Sequence, residues 1–276
     1  MKTMYKILII FFTFFISVYP SDRKVLVEIT TNSLCPFCPP AHTTLDNYLQ
    51  NSPNAGKITY IYYDIRYPYT SDQLYQDNTK DSDAKYKLYL NSSGGNPAAF
   101  FDGKRYPNSF SSWGSTLDNL ETQPSSFDIM LKGNHTLSNF TVNAEITKTG
   151  ETADADLTVN FVVVEDVQYS GGNGITNHRH VMRKIANIDG DPLTIEMNET
   201  KEMSSTFNMN DIWNPSNLGI VVFIQSKSTK TVYQSEYISY SALTVTSVDN
   251  NQKLAGKFQL HQNYPNPFNP STKINY

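Results

Sequence analysis

The sequence predicts an α/β region followed by an all-β sandwich. In residues 23–123, strand-like and helix-like runs alternate, which is typical of α/β folds. In residues 125–249, short strand-like runs follow one another with turn residues between them. The chain has 276 residues, which is enough for two domains of modest size.

The composition argues against a nucleic-acid-binding protein. Charged residues make up 17% of the chain and the formal net charge is -4, whereas a nucleic-acid binder carries a basic patch. Hydrophobic residues make up 39%, so a sizeable core can form. We therefore expect no nucleic-acid partner, and we expect no cofactor.

An apolar segment near the N-terminus predicts export. Lys2 and Lys6 precede the apolar run Ile7–Val18, which has the length of a signal-peptide core and is short for a membrane span. We assign residues 1–20 to the signal peptide and expect cleavage near Tyr19–Asp22. After cleavage we expect no membrane span and a location in the periplasm, at the outer-membrane surface or outside the cell. An uncleaved anchor is the alternative.

The first strand leads into the two cysteines of the chain. Val25, Val27 and Ile29 alternate with other residues, which indicates a strand. Cys35 and Cys38 follow with C-x-x-C spacing, where we expect a helix to begin. Free N–H groups at a helix N-terminus stabilise a thiolate. We therefore predict that Cys35 is the exposed attacking thiol and Cys38 the buried resolving thiol.

A zinc site and a structural disulfide are the alternative roles for the cysteine pair. Zinc needs four ligands, and without a second cysteine pair His42, His178 and His180 would have to complete such a site. We predict no metal site: His42 is expected to be solvated, and His178 and His180 to be polar residues at a strand edge. The pair can also be a purely structural disulfide, because an exported protein folds in an oxidising compartment.

In the rest of the first region, runs with the apolar spacing of a helix alternate with runs typical of a strand. The predicted helices are Ala41–Gln50, Thr79–Leu90 and Ser112–Glu121, and the predicted strands are Lys57–Asp64, Ala98–Phe101 and one beginning at Lys104–Tyr106. Asp102 and Gly103 predict a hairpin turn between the last two strands.

This pattern resembles the thioredoxin fold. A strand leads into C-x-x-C, and Gly95-Asn96-Pro97 precedes a second strand and an Asp-Gly hairpin. The resemblance implies that Pro97 is cis, lies against the cysteines and has a catalytic role; a trans proline is the alternative. It also implies that the backbone beside Pro97 pairs with an extended peptide. We assign Asn96, Pro36 and Phe37 to substrate binding.

Glu28 lies on the strand before the cysteines. Thioredoxins carry a buried acid on that strand, which assists proton transfer at the resolving thiol, and the resemblance implies this catalytic role for Glu28. Glu28 is one residue further from Cys35 than the usual spacing. A glutamate at the surface is the alternative.

The second region begins after a linker at Gln123–Ser126. The predicted strands are Phe127–Lys132, Phe140–Lys148, Ala155–Val164, Met203–Asn208, Gly219–Gln225 and Thr231–Tyr240. Short strands separated by turn signals favour an immunoglobulin-like sandwich. With the thioredoxin-like region before it, the stretch His180–Arg183 is similar to the 28-kilodalton outer-membrane protein family of Bacteroidetes-type bacteria, which is exported.

The end of the chain resembles the start of a secretion signal. Phe258–Tyr276 resembles the opening of the sorting domain on cargo of type IX secretion, which implies the secretion machinery as a partner. The stretch ends inside a predicted strand at Lys273–Tyr276, so we expect the chain to be a fragment of a longer protein. An ordinary Pro-rich linker is the alternative.

Two functions follow from these patterns. The first is thiol–disulfide exchange with protein thiols or disulfides through the C-P-F-C motif, in an exported thioredoxin-like protein. The alternative is a non-catalytic binding protein at the cell surface or outer membrane, in which a static disulfide holds the fold as a scaffold.

Overall fold

The computed structural model describes residues 21–246, and the fold is rich in β-strands with few helices. The signal peptide predicted in residues 1–20, and the linker and sorting tail predicted in residues 250–276, lie outside the described residues. Within residues 21–246, none of the helices has the length and apolar character needed to cross a membrane.

The first hundred described residues alternate between strands and helices, as predicted. In chain order they form β1 (Val25–Thr31), α1 (Pro39–Asn51), β2 (Ile58–Asp64), α2 (Gln73–Gln76), α3 (Thr79–Leu90), β3 (Ala98–Phe101), β4 (Lys104–Tyr106) and α4 (Trp113–Glu121). Strand β1 pairs parallel with β2 and antiparallel with β3. Asp102 and Gly103 turn the chain from β3 into β4, both with positive φ, which glycine adopts without steric cost.

The remaining residues form strands almost throughout. They are β5 (Phe127–His135), β6 (Asn139–Lys148), β7 (Leu157–Gln168), β8 (Asn177–Ile185), β9 (Asp191–Pro192), β10 (Thr200–Asn208), β11 (Leu218–Ser226), β12 (Val232–Ser239) and β13 (Thr244–Val245). Strands β5, β6, β10 and β13 form a four-stranded sheet. Its alternating apolar residues, such as Phe140 and Val142, pack against those of β7 and β11, such as Phe161 and Ile220.

Strands from both predicted regions join in one sheet. The order is β12-β11-β7-β8-β2-β1-β3-β4, with β9 paired to β7. Strand β8 meets β2 through the parallel pair Tyr62 and Val181. The domain boundary at Gln123–Ser126 stays a prediction. In the structure, strands from both sides of this boundary belong to the same sheet.

One buried apolar cluster also contains residues from both regions. The side chains of Tyr86 and Leu90 on α3 belong to the same cluster as Tyr63 on β2 and Phe223 on β11. The other members come from β1, β2, β3, β7, β8, β11 and nearby positions: Leu26, Ile61, Ile65, Ala98, Phe100, Val162, Val164, Met182, Ile185, Val221 and Val232. Helix α3 therefore packs on a sheet face to which both regions contribute.

Helices α1 and α4 cover the opposite face of the first strands. Val27 and Ile29 of β1 pack there with Leu45 of α1 and Leu117 of α4. Because β1 and β2 are parallel, their C-terminal ends lie at the same sheet edge. The chain leaves β1 at that edge and enters the cysteine loop.

Helix α1 includes the predicted run Ala41–Gln50, but it begins after both cysteines, whereas the sequence predicts a start at the cysteines. Its first residue is Pro39, and Cys38 is the N-cap, so Cys35 lies in the turn before the helix. Pro39 and Pro40 suit the first turn because their missing N–H groups have no intrahelical partner there. Pro36 consequently lies in the preceding turn and not in the helix.

Candidate functional site

Both cysteine thiols are buried at the end of β1. The residue Cys35 is 1% exposed and Cys38 is 0% exposed, so the prediction of an exposed attacking thiol is wrong. The exposed residues of the motif are the two between them: Pro36 lies at the surface and Phe37 is 74% exposed. Cys35 is buried because the loop that carries Asn96 lies over it, with Cys35 Sγ 4.0 Å from the Asn96 carbonyl oxygen.

The two thiols nevertheless differ in acidity in the direction that the sequence predicted. A hydrogen bond from Cys38, aided by the amide N–H groups of Phe37 and Cys38, lowers the pKa of Cys35 from 9.0 to about 7 against the effect of burial. The same hydrogen bond, together with burial and the nearby Cys35 charge, raises the pKa of Cys38. Deprotonation therefore occurs first at Cys35.

The loop before β3 has the conformation that the sequence predicted. The Asn96–Pro97 peptide bond is cis. The Asn96 side-chain amide donates hydrogen bonds to the carbonyl oxygens of Thr31 (2.7 Å) and Tyr67 (2.5 Å), and Asn108 donates one to the Pro97 carbonyl (2.9 Å). The Asn96 amide group thus holds this loop against the end of β1, and the Asn96 main-chain carbonyl oxygen lies 4.0 Å from Cys35 Sγ.

Glu28 is buried, but it does not lie with the cysteines. Its carboxylate accepts hydrogen bonds from the hydroxyls of Tyr63 (2.7 Å) and Tyr89 (2.5 Å), and Lys85 Nζ lies 3.7 Å away. Successive side chains of a strand point to opposite faces, and Ile29 belongs to the face covered by α1. Glu28 therefore faces α3, and this geometry does not support its assignment as a catalytic residue.

The polar residues beneath Cys38 are Thr31 and His42. Thr31 Oγ1 lies 2.8 Å from His42 Nε2, and the Thr31 hydroxyl lowers the pKa of Cys38 against the larger effects that raise it. His42 is only 6% exposed and stacks on Tyr62 with ring centroids 4.1 Å apart. The prediction of a solvated His42 is wrong. The signal in the sequence is the spacing of four residues, which places His42 one helical turn after the N-cap residue Cys38.

Burial also controls the charge of His42. Burial and the neighbouring His178 lower the pKa of His42 to about 3. The ring of His178 lies 6.4 Å from that of His42, and His178 is 1% exposed, so its predicted place at a strand edge is wrong. His42 is therefore neutral across the pH range in which thiols exchange.

The third histidine belongs to a different environment. His180 stacks on Tyr60 with ring centroids 4.0 Å apart, and its Nδ1 lies 3.0 Å from the Tyr60 carbonyl oxygen. In the part of the chain that the structure describes, no three histidine, cysteine or acidic side chains group together as metal ligands would.

The loop between β7 and β8 covers the turn before Cys35. Gly172 N and Asn173 N donate to the Ser33 carbonyl oxygen, at 2.8 and 3.1 Å. Gly171 lies so close to Ser33 that a Cβ atom at this position would be 2.3 Å from the Ser33 carbonyl oxygen. A loop from the second region, which carries no cysteine, thus forms part of the site.

Asp72 supports the same turn, and a second buried aspartate, Asp64, neighbours it. Asp72 accepts hydrogen bonds from the Ser33 amide (2.9 Å) and the Ser33 hydroxyl (2.5 Å). Burial and the neighbouring Asp72 carboxyl raise the pKa of Asp64 well above its usual value. The Asp64 carboxyl therefore stays protonated to a higher pH than an exposed aspartate does.

The surface around the cysteine loop is aromatic. Phe37 is 74% exposed, and Tyr67 and Tyr69, on the loop after β2, are 48% and 47% exposed. The Asn32 side chain donates to the Tyr69 carbonyl oxygen (2.9 Å), which joins the two loops.

Comparison with known proteins identifies the family and the fold. The model of the family described as "Outer membrane protein Omp28" matches residues 83–240, which include His180–Arg183 but not the cysteines. No curated protein matches the sequence.

The solved structures similar to this chain include the following three. HBP35 of Porphyromonas gingivalis is 12% identical with a TM-score of 0.71, over 94% of this chain and 86% of that one. Protein AGR_C_4864 from Agrobacterium tumefaciens is 15% identical with a TM-score of 0.54, over 84% and 99%. A domain of the outer membrane lipoprotein Omp28 from Porphyromonas gingivalis is 17% identical with a TM-score of 0.34, over 45% and 92%. At these identities the first two likenesses show a shared fold.

Proposed function

The chain belongs to the Omp28 outer membrane protein family, and we propose that it is an exported protein whose cysteine pair exchanges thiols and disulfides with protein substrates. The observation that carries this proposal is the opposite perturbation of the two thiols: the pKa of Cys35 falls to about 7 while that of Cys38 rises. A purely structural disulfide has no need of one acidic and one weakly acidic thiol.

The proposal includes a thioredoxin-like arrangement for residues 23–123 and an immunoglobulin-like sandwich for the strands after it. Support for the first comes from a parallel β1–β2 pair, the C-x-x-C turn before α1 and a cis Pro97 beside it. Support for the second comes from the apolar core between the β5–β6–β10 sheet and strands β7 and β11.

The exchange would proceed in two steps. The Cys35 thiolate attacks one sulfur of a substrate disulfide, which forms a mixed disulfide and releases the first substrate thiol. Cys38 then attacks Cys35 Sγ, the bond between Cys35 and the substrate breaks, and the second thiol leaves. The cysteine pair loses two electrons and the substrate disulfide gains them. With the pair already oxidised, the same steps run in reverse on a substrate dithiol.

Substrate contact is proposed for the surface beside the pair. Pro36 and Phe37 are exposed next to Cys35, and the Asn96 carbonyl oxygen is the acceptor nearest to its sulfur. Pairing of an extended peptide with the backbone beside Pro97 would bring a substrate sulfur towards Cys35. The type IX secretion machinery remains a proposed partner through residues 258–276, which lie outside the described residues.

A static disulfide in a binding protein is the second candidate, and one observation favours it. Cys35 is 1% exposed, so a protein substrate reaches its sulfur only if the covering loops move. A sequestered pair of this kind would hold the fold together without turnover.

The redox potential of the pair separates the two candidates. Equilibration with glutathione buffers should give a potential within the range of thiol oxidoreductases, about -120 to -270 mV. A potential below about -300 mV, together with no reduction of insulin disulfides, would assign the pair to a structural role. The Cys35→Ser variant should lose exchange completely, whereas Cys38→Ser should accumulate a mixed disulfide with the substrate.

A further inference from the structure

We propose that the loop between β7 and β8, residues 169–176, is a hinged cover whose opening controls access to the cysteine pair. The inference rests on the proposed exchange function and concerns its regulation. Cys35 is 1% exposed, so a substrate reaches its sulfur only after part of the surrounding structure moves. We call residues 169–176 the cover loop and infer that it is the part that moves.

Three hydrogen bonds fasten the cover loop to the turn that carries Cys35. The backbone N–H groups of Gly172 and Asn173 donate to the Ser33 carbonyl oxygen, at 2.8 and 3.1 Å. The Asn173 side-chain amide donates to the Asn32 carbonyl oxygen at 3.3 Å. The same Asn32 oxygen accepts a hydrogen bond from the N–H of Cys35 at 2.9 Å. The cover loop therefore holds the backbone that positions Cys35.

Buried groups fix the other side of the same turn. Asp72 accepts hydrogen bonds from the Ser33 N–H (2.9 Å) and the Ser33 hydroxyl (2.5 Å), and the Asn32 amide donates to the carbonyl oxygens of Ile65 and Tyr69, both at 2.9 Å. Asp72 and Asn32 are 0% exposed. Movement on this side would leave buried polar groups without partners, which is costly. The cover loop is the side of the turn that moves at lower cost.

The loop that carries Asn96 is less free to move. Its side-chain amide is bound to the carbonyl oxygens of Thr31 and Tyr67. The loop also continues directly into β3, which is paired with β1 on one side and β4 on the other. Opening this loop would pull on a strand in the interior of the sheet, whereas the cover loop joins two strands by an exposed connection.

The cover loop can open without separating β7 from β8. The Tyr169 N–H donates to the Thr176 carbonyl oxygen at 2.9 Å, which closes the base of the loop. Three of the six residues between them are glycines, and glycine restricts backbone rotation least. Gly172 and Gly174 are exposed, so the tip can swing into solvent. The Tyr169–Thr176 pair is therefore the hinge, and the glycine-rich tip is the moving part.

The contact at Gly171 offers a way to hold the cover loop open. A Cβ atom at this position would be 2.3 Å from the Ser33 carbonyl oxygen and 2.5 Å from Ser33 Oγ. Gly171 does not have a positive φ, so alanine is compatible with its backbone and meets only this contact. Gly171→Ala should therefore push the cover loop off the turn while leaving both cysteines and Asp72 unchanged.

The rate at which iodoacetamide alkylates Cys35 in the reduced protein measures access to the site. Gly171→Ala should raise this rate roughly ten- to hundredfold, because the hydrogen bonds of the loop, each worth about a factor of two to ten, are lost together. Asn173→Ala, which removes the contact to Asn32, should raise it about two- to tenfold. Gly56→Ala is the matched control, since a Cβ there meets nothing within 4 Å, and it should leave the rate unchanged. The pH midpoint of alkylation should not move in any variant, because access changes and acidity does not.

Amide hydrogen exchange tests the same opening in the wild-type protein, so the test stands even if Gly171→Ala fails to fold. The N–H groups of Gly172 and Asn173 should be protected by the same factor that slows alkylation of Cys35 relative to an exposed thiol of equal pKa. Unprotected N–H groups beside a slowly reacting Cys35, or equal alkylation rates in Gly171→Ala and Gly56→Ala, would overturn the proposal.

The exchange function can fail separately from the cover. If Gly171→Ala speeds alkylation of Cys35 but neither this variant nor the wild type reduces insulin disulfides, the cover loop is confirmed as the barrier to Cys35. The same result would refute thiol–disulfide exchange as the function of the pair.

Discussion

The buried ion-pair network at Arg183 should make this residue one of the most sensitive positions in the chain. Arg183 Nε donates to Glu165 Oε2 (2.5 Å) and its NH1 group donates to Asp77 Oδ2 (2.7 Å). The Arg183 and Glu165 side chains are 5% and 4% exposed, and Asp77 lies between α2 and α3. The network therefore ties the helical part of the chain to strands β7 and β8.

The loss of stability expected on replacing Arg183 depends on the groups that would remain buried without a partner. Arg183→Met keeps most of the volume but leaves the Glu165 carboxylate buried without its cation. Removing one partner of a buried pair costs about 3–5 kcal/mol. The Asp77 side chain is 16% exposed and so remains partly solvated, and Glu165 still accepts a hydrogen bond from the backbone N–H of Asn214 (2.7 Å). We therefore expect a loss of stability in the lower part of that range.

Urea denaturation followed by circular dichroism measures this loss. With a slope of about 2–3 kcal/mol per molar urea, the midpoint should fall by roughly 1–2 M. Arg179→Met is the matched control, since Arg179 of β8 pairs with Asp46 of α1 nearer the surface, where their side chains are 30% and 32% exposed. That variant should lose about 1 kcal/mol or less.

Two results bear directly on the reasoning. The double variant Glu165→Gln/Arg183→Met should recover part of the stability, because the unpaired buried charge is gone. If Arg183→Met loses no more stability than Arg179→Met, the network contributes little and the argument from burial is refuted.

Three further predictions follow from the site and the core. Alkylation of reduced protein by iodoacetamide should rise with a midpoint near pH 7 if Cys35 is the reactive thiol, and a midpoint near 9 would contradict the pKa assigned to it. Burial raises the pKa of Asp64 in the folded protein, so the stability that this carboxyl contributes is present below about pH 4 and is lost as the pH rises. Asp64→Asn should therefore raise the melting temperature at pH 7 and have little effect on it at pH 4. A lower melting temperature of the variant at pH 7 would contradict this. Residues 125–246 expressed alone should aggregate or melt early by calorimetry, because the Val162 and Phe223 side chains lose the cover of α3; a stable, cooperative fold would show that the sandwich is self-sufficient.

Local patterns in the sequence predicted much of the secondary structure. The alternation at Val25, Val27 and Ile29 marks β1, and the strand around Phe140 follows the same period-two rule, whereas the strand around Ile220 is a continuous apolar run that is buried throughout. The turn at Asp102 also agrees with prediction, and so does the cis peptide at Pro97, which the resemblance to the thioredoxin fold implied. The strands and the turn depend on residues close together in the chain, so local patterns can predict them.

The sequence by itself therefore determined the strands and helices with clear local patterns and the place of the cysteine pair between them, whereas α2 and β8 were not among the predicted elements. Tertiary structure alone decided what surrounds each side chain. Cys35 is buried because loops distant in sequence cover it, and Glu28 faces α3 because the cysteine-bearing helix lies on the other face of β1. His42 lies under Cys38 beside His178, which is more than a hundred positions away in the chain. Burial and pKa depend on such long-range neighbours, and no pattern of local spacing specifies them.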